Sequence, residues 1–302
     1  MPSPGRISGQ NVVVPTQGCD SIVGTLGPMV RSLRDLELFC RAYSSSQPWI
    51  EDPSLIPSDI LCPALGRQID PSLPLRVGIL LDDGVVSPLP PVSRVLYKVT
   101  SRLIRNSGIT VKTFTPWKHD KAWEIVTANY FEDAGADIRR ICHEGSEPLD
   151  PLTEWILSEC EANATKIGST LQERKRSRDR FRQLYAAHWR SQGVDVVLSP
   201  ITPSTAPPPG TSKYWGYTAI WNLLSYPAIA LPAASLVGEC NRAEELLDEL
   251  YLPKNDIEAH IYKHYSPETS AGMPVGVQVV APRLHENLLM GAARIIEEAL
   301  RG

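Results

Sequence analysis

Four hydroxyl side chains follow an apolar run near the middle of the sequence. The run VDVVLSP predicts a buried strand, and Ser199, Thr202, Ser204 and Thr205 lie at its end or just beyond it. Sites in α/β proteins gather at the carboxyl ends of strands, so one of these hydroxyls is a candidate nucleophile. A serine needs a base within hydrogen-bond reach for that role, and no G-x-S-x-G elbow is present. We therefore favour an interpretation in which the hydroxyls bind nearby backbone and form pocket wall.

Two histidines have the i, i+4 spacing of metal ligands. His260 and His264 stand in HIYKH, which is predicted to be a short helix. Zinc proteases of the H-E-x-x-H type need an acid directly after the first histidine, where this sequence has Ile261. No third-ligand pattern lies nearby, so we expect a surface helix and no metal site.

Aromatic residues are dense in KYWGYTAIWNLLSYP. They are Tyr214, Trp215, Tyr217, Trp221 and Tyr226. Such a set can line a small-molecule cavity. It can equally close the end of a sheet, and the sequence favours neither alternative.

A basic run, RKRSRDRFR, raises the question of nucleic-acid binding. Asp179 interrupts the run, and Leu184, Tyr185 and Trp189 on the same helix predict a buried stripe. The formal net charge of the chain is −4, with no basic excess of the kind that nucleic-acid binding requires. We expect a solvated helix face and no nucleic-acid partner.

Predicted strands and helices alternate along the chain, and these elements must position the candidate side chains. The predicted strands lie in LRVGILLDDGVV, where the apolar run is followed by a turn at Asp82-Asp83-Gly84, and in ITVKTF, VDVVLSP, PAIALPAA and PVGVQVVAP. Helices are predicted at SLRDLELFCRAYSS, over 90–106, 118–143, 151–160 and 169–191, at AIWNLLSY, in a small segment after the acidic insertion at 239–258, and at LHENLLMGAARIIEEALRG. The unit that begins with the first strand is a right-handed crossover, which pairs its two strands in parallel. We expect the α/β class, with a mixed sheet covered by helices.

The sequence also indicates the cellular compartment of the protein. Six cysteines are scattered without a C-x-x-C pair, as in reduced intracellular proteins. The first residues do not resemble a signal peptide, and no apolar run approaches the roughly 20 residues that cross a bilayer. We expect a cytoplasmic protein that does not enter a membrane.

Longer stretches, taken together and in order, resemble the amidase-signature family of amide hydrolases, particularly its acetamidase-like or general amidase branch. The matching text is GRISGQ, GTLGPMVRSLRDLELFCRA, the step at Pro48, Trp49, Asp52 and Pro53, LRVGILLDDGVVSPLPPVSRVL, PLDPLTEWILSE, GVDVVLSP, GTSKYWGYTAIWNLLSYPAIALP and YSPETSAGMPVGVQVVAPRLHENLLMGAARIIEEAL. The match runs nearly end to end.

The resemblance implies a three-layer α/β/α fold around a mixed sheet, of which this chain is the distal half. Family members cleave amides with a serine nucleophile, a second serine joined by a cis peptide, and a lysine that relays protons. A small amide is the implied substrate, with no metal or organic cofactor. Trp215, Tyr217, Trp221 and Asn222 match family positions near the substrate cavity, which implies a place in the wall of the substrate pocket. Ser225 and Ala281-Pro282 depart from the pattern.

The catalytic groups of the family have no counterpart in this sequence. In the family, GRIS-type text follows a G-x-K-P-[ST]-x-G-R step, which itself follows the segment with both serines, and Met1 stands at the lysine position of that step. Ser44-Ser45-Ser46 is the densest serine cluster and lacks glycines, so we carry over no catalytic residue. We expect a partial amidase domain over 1–302, with the end of the signature region at 1–46, a Pro-rich surface connector at 47–74 and a C-terminal α/β part at 75–302.

Three functional hypotheses stay open. The leading one is an amidase-family chain truncated before the Ser/cis-Ser/Lys segment and non-catalytic alone. The second is a working amidase that hydrolyses small carboxamides to acid and ammonia, if the true product is longer. The third is a non-enzymatic protein that binds a partner or a ligand. Because a missing half would leave an apolar sheet edge in water, we also expect low stability of the chain alone.

Overall fold

The computed structural model describes residues 1–14, 18–64, 69–70, 72–236, 238, 247 and 250–301. Part of the predicted insertion at 239–258 and Cys240 lie outside the described residues.

A five-stranded mixed sheet lies at the centre of the described part of the chain. Its strands are β1 (Leu75–Ile79), β2 (Ile109–Thr113), β3 (Val196–Pro200), β4 (Ala228–Leu231) and β5 (Val277–Val280). They follow the order β2-β1-β3-β5-β4, in which β1 is parallel to β2 and β3, and β5 is antiparallel to β3 and β4. The predicted α/β class, the mixed sheet and the parallel crossover are confirmed.

Helices connect these strands and begin largely where the sequence caps them. The helices of the described residues are α1 (Leu33–Ser45), α2 (Pro90–Ile104), α3 (His119–Tyr130), α4 (Ala136–Glu144), α5 (Pro151–Ile167), α6 (Leu171–Gln192), α7 (Gly216–Leu224), α8 (Ala233–Leu236), α9 (Asp256–Lys263), α10 (Pro267–Ser270) and α11 (Glu286–Arg301). The Ser32 side chain accepts a hydrogen bond from the Asp35 amide at the start of α1, and Thr170 and Glu173 form a capping box at the start of α6. No helix of the described ranges is both long and apolar enough to cross a bilayer.

Each face of the sheet is covered by its own group of helices. Val77, Ile79 and Leu198 pack with α1, α2 and α11 on one face. Val197 and Val280 pack with α3, α6 and α7 on the other. Successive strand residues point to opposite faces, so the apolar strands of this sequence can hold helices on both sides. The result is the three-layer arrangement that the resemblance implies.

The single helix predicted over 118–143 is wrong, because α3 ends at Tyr130 and α4 begins at Ala136. Between them Gly135 has φ +78°, and a Cβ added there would lie 2.4 Å from Leu157 Cδ2 on α5. Only glycine allows this backbone conformation so close to a neighbouring helix. The Asp133 side chain accepts hydrogen bonds from the amides of Gly135 (2.9 Å) and Asp137 (2.8 Å), which starts a new helix.

Two smaller expectations also need correction. α5 continues to Ile167, beyond the predicted end at 160. On α6 the buried stripe consists of Phe181, Tyr185 and Trp189, whereas Leu184 is 46% exposed. The stripe is therefore spaced every four residues along α6.

The N-terminal loop is attached to β4 and to the start of α11. The Met1 amino group donates to the Ala228 carbonyl (2.7 Å), and the Ala228 amide donates to the Met1 carbonyl (2.9 Å). The Ser3 amide donates to Glu286 Oε1 at 2.8 Å, and Ser3 Oγ accepts from the Leu284 amide at 2.9 Å. The boundaries predicted after residues 46 and 74 stay predictions; α1 ends at Ser45 and β1 begins at Leu75.

Candidate functional site

The four predicted pocket residues lie on α7 and at its start. Trp215 is the N-terminal cap of α7, and Tyr217, Trp221 and Asn222 lie within the helix. Tyr217 and Trp221 are each 1% exposed, whereas Trp215 and Asn222 are half-buried. Tyr130 on α3 hydrogen-bonds the side chains of Trp215 and Asn222, so these two half-buried residues meet at one hydroxyl. Burial raises the pKa of Tyr130 to about 12, so this hydroxyl is protonated at neutral pH.

Trp221 is the centre of a buried aromatic cluster. Its ring lies 6.3 Å from the rings of Tyr185 and Trp189, 6.4 Å from that of His119 and 6.5 Å from that of Tyr226, measured between centroids. The contacts with Tyr185, Trp189 and His119 are edge-to-face, which is a favoured geometry for aromatic pairs. This burial fits the interpretation in which the aromatic residues close the end of the sheet. The place of all four α7 residues in the substrate-pocket wall stays a prediction.

His119 lies in the same cluster, although the sequence does not single it out. Its Nε2 is 3.1 Å from the Tyr185 hydroxyl, and burial lowers its pKa to about 3. The ring is therefore neutral at pH 7 and is paired with a tyrosine hydroxyl.

Asp83 joins the loop after β1 to the tyrosines at the start of α7. Its Oδ1 accepts hydrogen bonds from the amides of Val85 (2.8 Å) and Val86 (2.9 Å). Its Oδ2 accepts from the Tyr214 hydroxyl at 2.6 Å. The Tyr217 hydroxyl donates to the Val86 carbonyl (2.8 Å) and accepts from the Asp83 amide (3.2 Å). The sequence shows these aspartates only as a turn after a strand and gives no signal of their distant partners.

The two neighbouring aspartates have opposite pKa shifts. Burial raises the pKa of Asp83 to about 6 from 3.8, although the tyrosine and amide hydrogen bonds oppose this rise. Burial also acts to raise the pKa of Asp82, but hydrogen bonds from Lys254, the Gly84 amide and Ser87 outweigh it and lower that pKa. A buried carboxyl with a raised pKa at a strand end is a candidate for acid–base chemistry. Because Asp83 is 2% exposed and both oxygens accept hydrogen bonds, we interpret it as a structural anchor of α7.

Replacing Asp83 with asparagine should remove a pH dependence of stability. Between pH 4 and 6 the folded chain holds a proton on Asp83, whereas the unfolded chain has released it. This proton therefore stabilises the folded chain fully below pH 3.8, and the stabilisation is lost as pH rises through 6. We expect the free energy of unfolding of the wild type to fall by about 1 kcal/mol between pH 5 and 7.5 relative to Asp83→Asn. Urea unfolding at both pH values measures this difference.

The matched control is Asp82→Asn. The lowered pKa of Asp82 confines its own titration to more acidic solution, and its charge makes only a small contribution to the raised pKa of Asp83. The wild-type difference from this variant should therefore change much less between pH 5 and 7.5 than the difference from Asp83→Asn. Two differences that change equally little would contradict a proton on Asp83.

Ser199 in β3, Ser204 beyond it and the two histidines bind backbone, whereas the buried Thr205 Oγ1 has no hydrogen-bond partner among the described residues. Ser199 Oγ donates to the Pro200 carbonyl (3.1 Å), and Ser204 Oγ donates to the Thr205 carbonyl (2.6 Å). His260 Nε2 lies 3.0 Å from the Thr211 carbonyl, and His264 Nδ1 lies 2.7 Å from the His260 carbonyl. Within the described ranges, no group of three or more His, Cys, Asp and Glu side chains could hold a metal ion.

The basic face of α6 contacts the chain itself. Arg178 Nη1 donates to the Ser21 carbonyl at 2.7 Å. Arg182 Nε donates to the Leu223 carbonyl at 2.5 Å, and its Nη2 lies 3.3 Å from Ser225 Oγ. These arginines therefore hold the N-terminal loop and the C-terminal end of α7.

Comparison with known proteins gives one consistent family. The family model Amidase matches residues 1–290. A provisionally named amidase of Schizosaccharomyces pombe is 35% identical over 291 residues, which are 96% of this chain and 52% of the relative. The acetamidase of Emericella nidulans is 26% identical over 99% of this chain and 55% of the relative. The chain spans about half the length of the relatives that it matches.

Solved structures show the same likeness. A fatty acid amide hydrolase has a TM-score of 0.87 and 28% identity, covering 99% of this chain and 52% of its own. A bacterial aryl acylamidase of the amidase-signature enzymes has a TM-score of 0.55 and 15% identity over 100% of this chain and 58% of its own, a likeness of fold alone.

Proposed function

The chain belongs to the amidase family, and on that premise we propose that it forms the outer sheet and part of the acyl-pocket wall of an amide hydrolase and does not cleave amides by itself. The hydrolase that it completes converts small carboxamides to the acid and ammonia. The serines and lysine of the reaction come from a polypeptide segment other than residues 1–302.

The hydrogen bonding of the serines at the end of β3 and just beyond it carries this proposal. A nucleophilic serine needs a base to take its proton, and the Ser199 and Ser204 hydroxyls instead donate to backbone carbonyls. The sequence has no Gly/Ser-rich run of the family type, and the chain spans about half of its relatives. Of the four predicted pocket-wall residues, the half-buried Trp215 and Asn222 are best placed to contact a substrate, because the side chains of Tyr217 and Trp221 are almost fully buried.

Amidase assays of the chain alone and of a fusion test the proposal. The fusion joins the part of the Schizosaccharomyces pombe relative that this chain does not match to the amino end of this chain. With acetamide, benzamide and longer amides, we expect no ammonia above blank from the chain alone. The fusion should release ammonia, and a serine-directed inhibitor should abolish that release.

Two outcomes would contradict the proposal. Robust turnover by the purified chain alone would mean that it carries its own nucleophile. A fusion with native circular dichroism that leaves every amide intact would mean that the chain does not complete a hydrolase.

A further inference from the structure

A groove lies between α1 and α11, which pack against each other. It holds a cavity of about 570 Å³, lined by residues of both helices and of the segment between α1 and β1. A volume of this size is typical of small-molecule sites. Its lining includes neither Trp215 nor Asn222, so the groove is separate from the predicted substrate pocket.

The floor of this groove is apolar. Met290 on α11 is 5% exposed, and Leu61 and Ile69 are partly buried against the same core. Gly291 allows Ile69 to approach α11 closely, since a Cβ added there would lie 2.8 Å from Ile69 Cδ1. An apolar ligand in the groove would therefore cover carbon surface that is still partly exposed to water.

Two guanidinium groups share one carboxylate at one end of the groove. Arg41 donates to Glu37 Oε1 through Nη2 at 2.6 Å and through Nε at 3.0 Å. Arg294 on α11 forms an ion pair with the other oxygen, Glu37 Oε2. Among the described residues, Glu37 is the only carboxylate that pairs with either arginine, so this end has one positive charge in excess. Each guanidinium has five N–H donors, and several of them remain available to a ligand.

The opposite end of the groove has a negative charge. Ser44 Oγ accepts a hydrogen bond from the Ile60 amide at 3.0 Å, which places the neighbouring Asp59 beside the last turn of α1. Glu37 and Ser44 are seven residues apart on this helix, which is about 10 Å along its axis. The Asp59 carboxylate lines the groove there and disfavours an anion. An anionic group of a ligand would therefore lie at the end with the two arginines.

We propose that the groove between α1 and α11 binds a monocarboxylate with an apolar body. The carboxylate of this ligand pairs with Arg41 and Arg294, because guanidinium groups form paired, charge-assisted hydrogen bonds with carboxylates. Its carbon chain lies on Leu61, Ile69 and Met290. Hydrolysis of an amide releases a carboxylic acid, so the groove would be a second site for the product of the hydrolase. Only this identification of the ligand as the product rests on the proposed function.

Titration of the chain alone with octanoate tests the binding. Octanamide has the same carbon chain without the charge and is the matched control ligand. The methyl resonance of Met290 reports on the groove, and that of Met29, which is fully exposed and does not line the groove, is the internal control. We expect octanoate to shift the Met290 resonance in a saturable way and octanamide to bind at least about tenfold more weakly. Equal binding of the two ligands, or a saturable shift at Met29 and not at Met290, would overturn the proposal.

Two substitutions at the charged end should act in opposite directions. Arg294→Gln removes one guanidinium group and should weaken octanoate binding about tenfold. Glu37→Gln removes the competing carboxylate and should strengthen octanoate binding several-fold. Arg301→Gln is the matched control on the same helix, because Arg301 pairs with Glu297 and does not line the groove. It should change the affinity by less than about twofold, since exposed charges at a distance are screened.

A purely structural tie between the two helices predicts a different result. In that case Glu37→Gln and Arg294→Gln would weaken octanoate binding equally in chains with native circular dichroism, and the proposal would be wrong. The binding and the activity are tested separately. A chain that does not bind octanoate leaves the proposed hydrolase untouched, and an inactive fusion leaves octanoate binding untouched but removes the product as the ligand.

Discussion

Replacing Arg6 with methionine is expected to lower the free energy of unfolding by about 3–5 kcal/mol. The Arg6 side chain is fully buried, and its guanidinium donates to the carbonyls of Ser58 and Asp59. Its Nε lies 3.9 Å from Glu286 Oε2, and the Glu286 side chain is 6% exposed. Methionine retains much of the apolar stem but removes the guanidinium from the buried Glu286 carboxylate, which among the described residues keeps only the Met1 amino group as a positive neighbour.

Urea unfolding of matched variants measures this loss. Arg31→Met is the control, because Arg31 is exposed and the same substitution there should change stability by less than about 0.5 kcal/mol. In the double variant Arg6→Met/Glu286→Gln the loss should be smaller than the sum of the single losses, because the second change removes the uncompensated charge. Losses for Arg6→Met and Arg31→Met that agree within error would contradict the buried pair.

The elements of this fold follow from local pattern to a large extent. The apolar runs around Val77 and Val197 predict buried strands because their residues can face helices on both sides. Ser32 and Thr170 mark helix starts through hydrogen bonds within their own first turn. The break at Gly135 escapes prediction because it depends on the approach of Leu157 from another helix. A pattern along one segment does not contain that contact.

The site is less predictable, because its contacts join distant segments. Asp83 and Tyr214 are 131 residues apart in sequence, and Arg6 reaches Glu286 across nearly the whole chain. The aromatic residues near α7 form a recognisable group in the sequence, but their burial depends on α3 and α6, which lie earlier in the chain. Only the folded arrangement separates Tyr217 and Trp221, which are enclosed, from Trp215 and Asn222, which are half-buried.

Replacing Trp221 with alanine is expected to cost about 3–5 kcal/mol of folding stability. The ring is 1% exposed and contacts four aromatic side chains from α3, α6 and the loop after α7, so alanine would leave a large cavity. Many domains have a total stability of about 5–15 kcal/mol, so this loss is enough to abolish a cooperative transition in a marginal one. Thermal unfolding followed by circular dichroism measures it.

Trp215→Ala is the matched control for Trp221→Ala. The Trp215 ring contacts Trp123 and Trp155 edge-on but is half-buried, so its loss should cost clearly less. If Trp221→Ala unfolds no more easily than Trp215→Ala, the Trp221 ring is not a core side chain. If Trp221→Ala alone is severely destabilised, the Trp221 ring is a core side chain, as its 1% exposure indicates. The predicted place in the pocket wall is then left to the half-buried Trp215 and Asn222, because a ring that the fold needs in its core is not free to face a ligand.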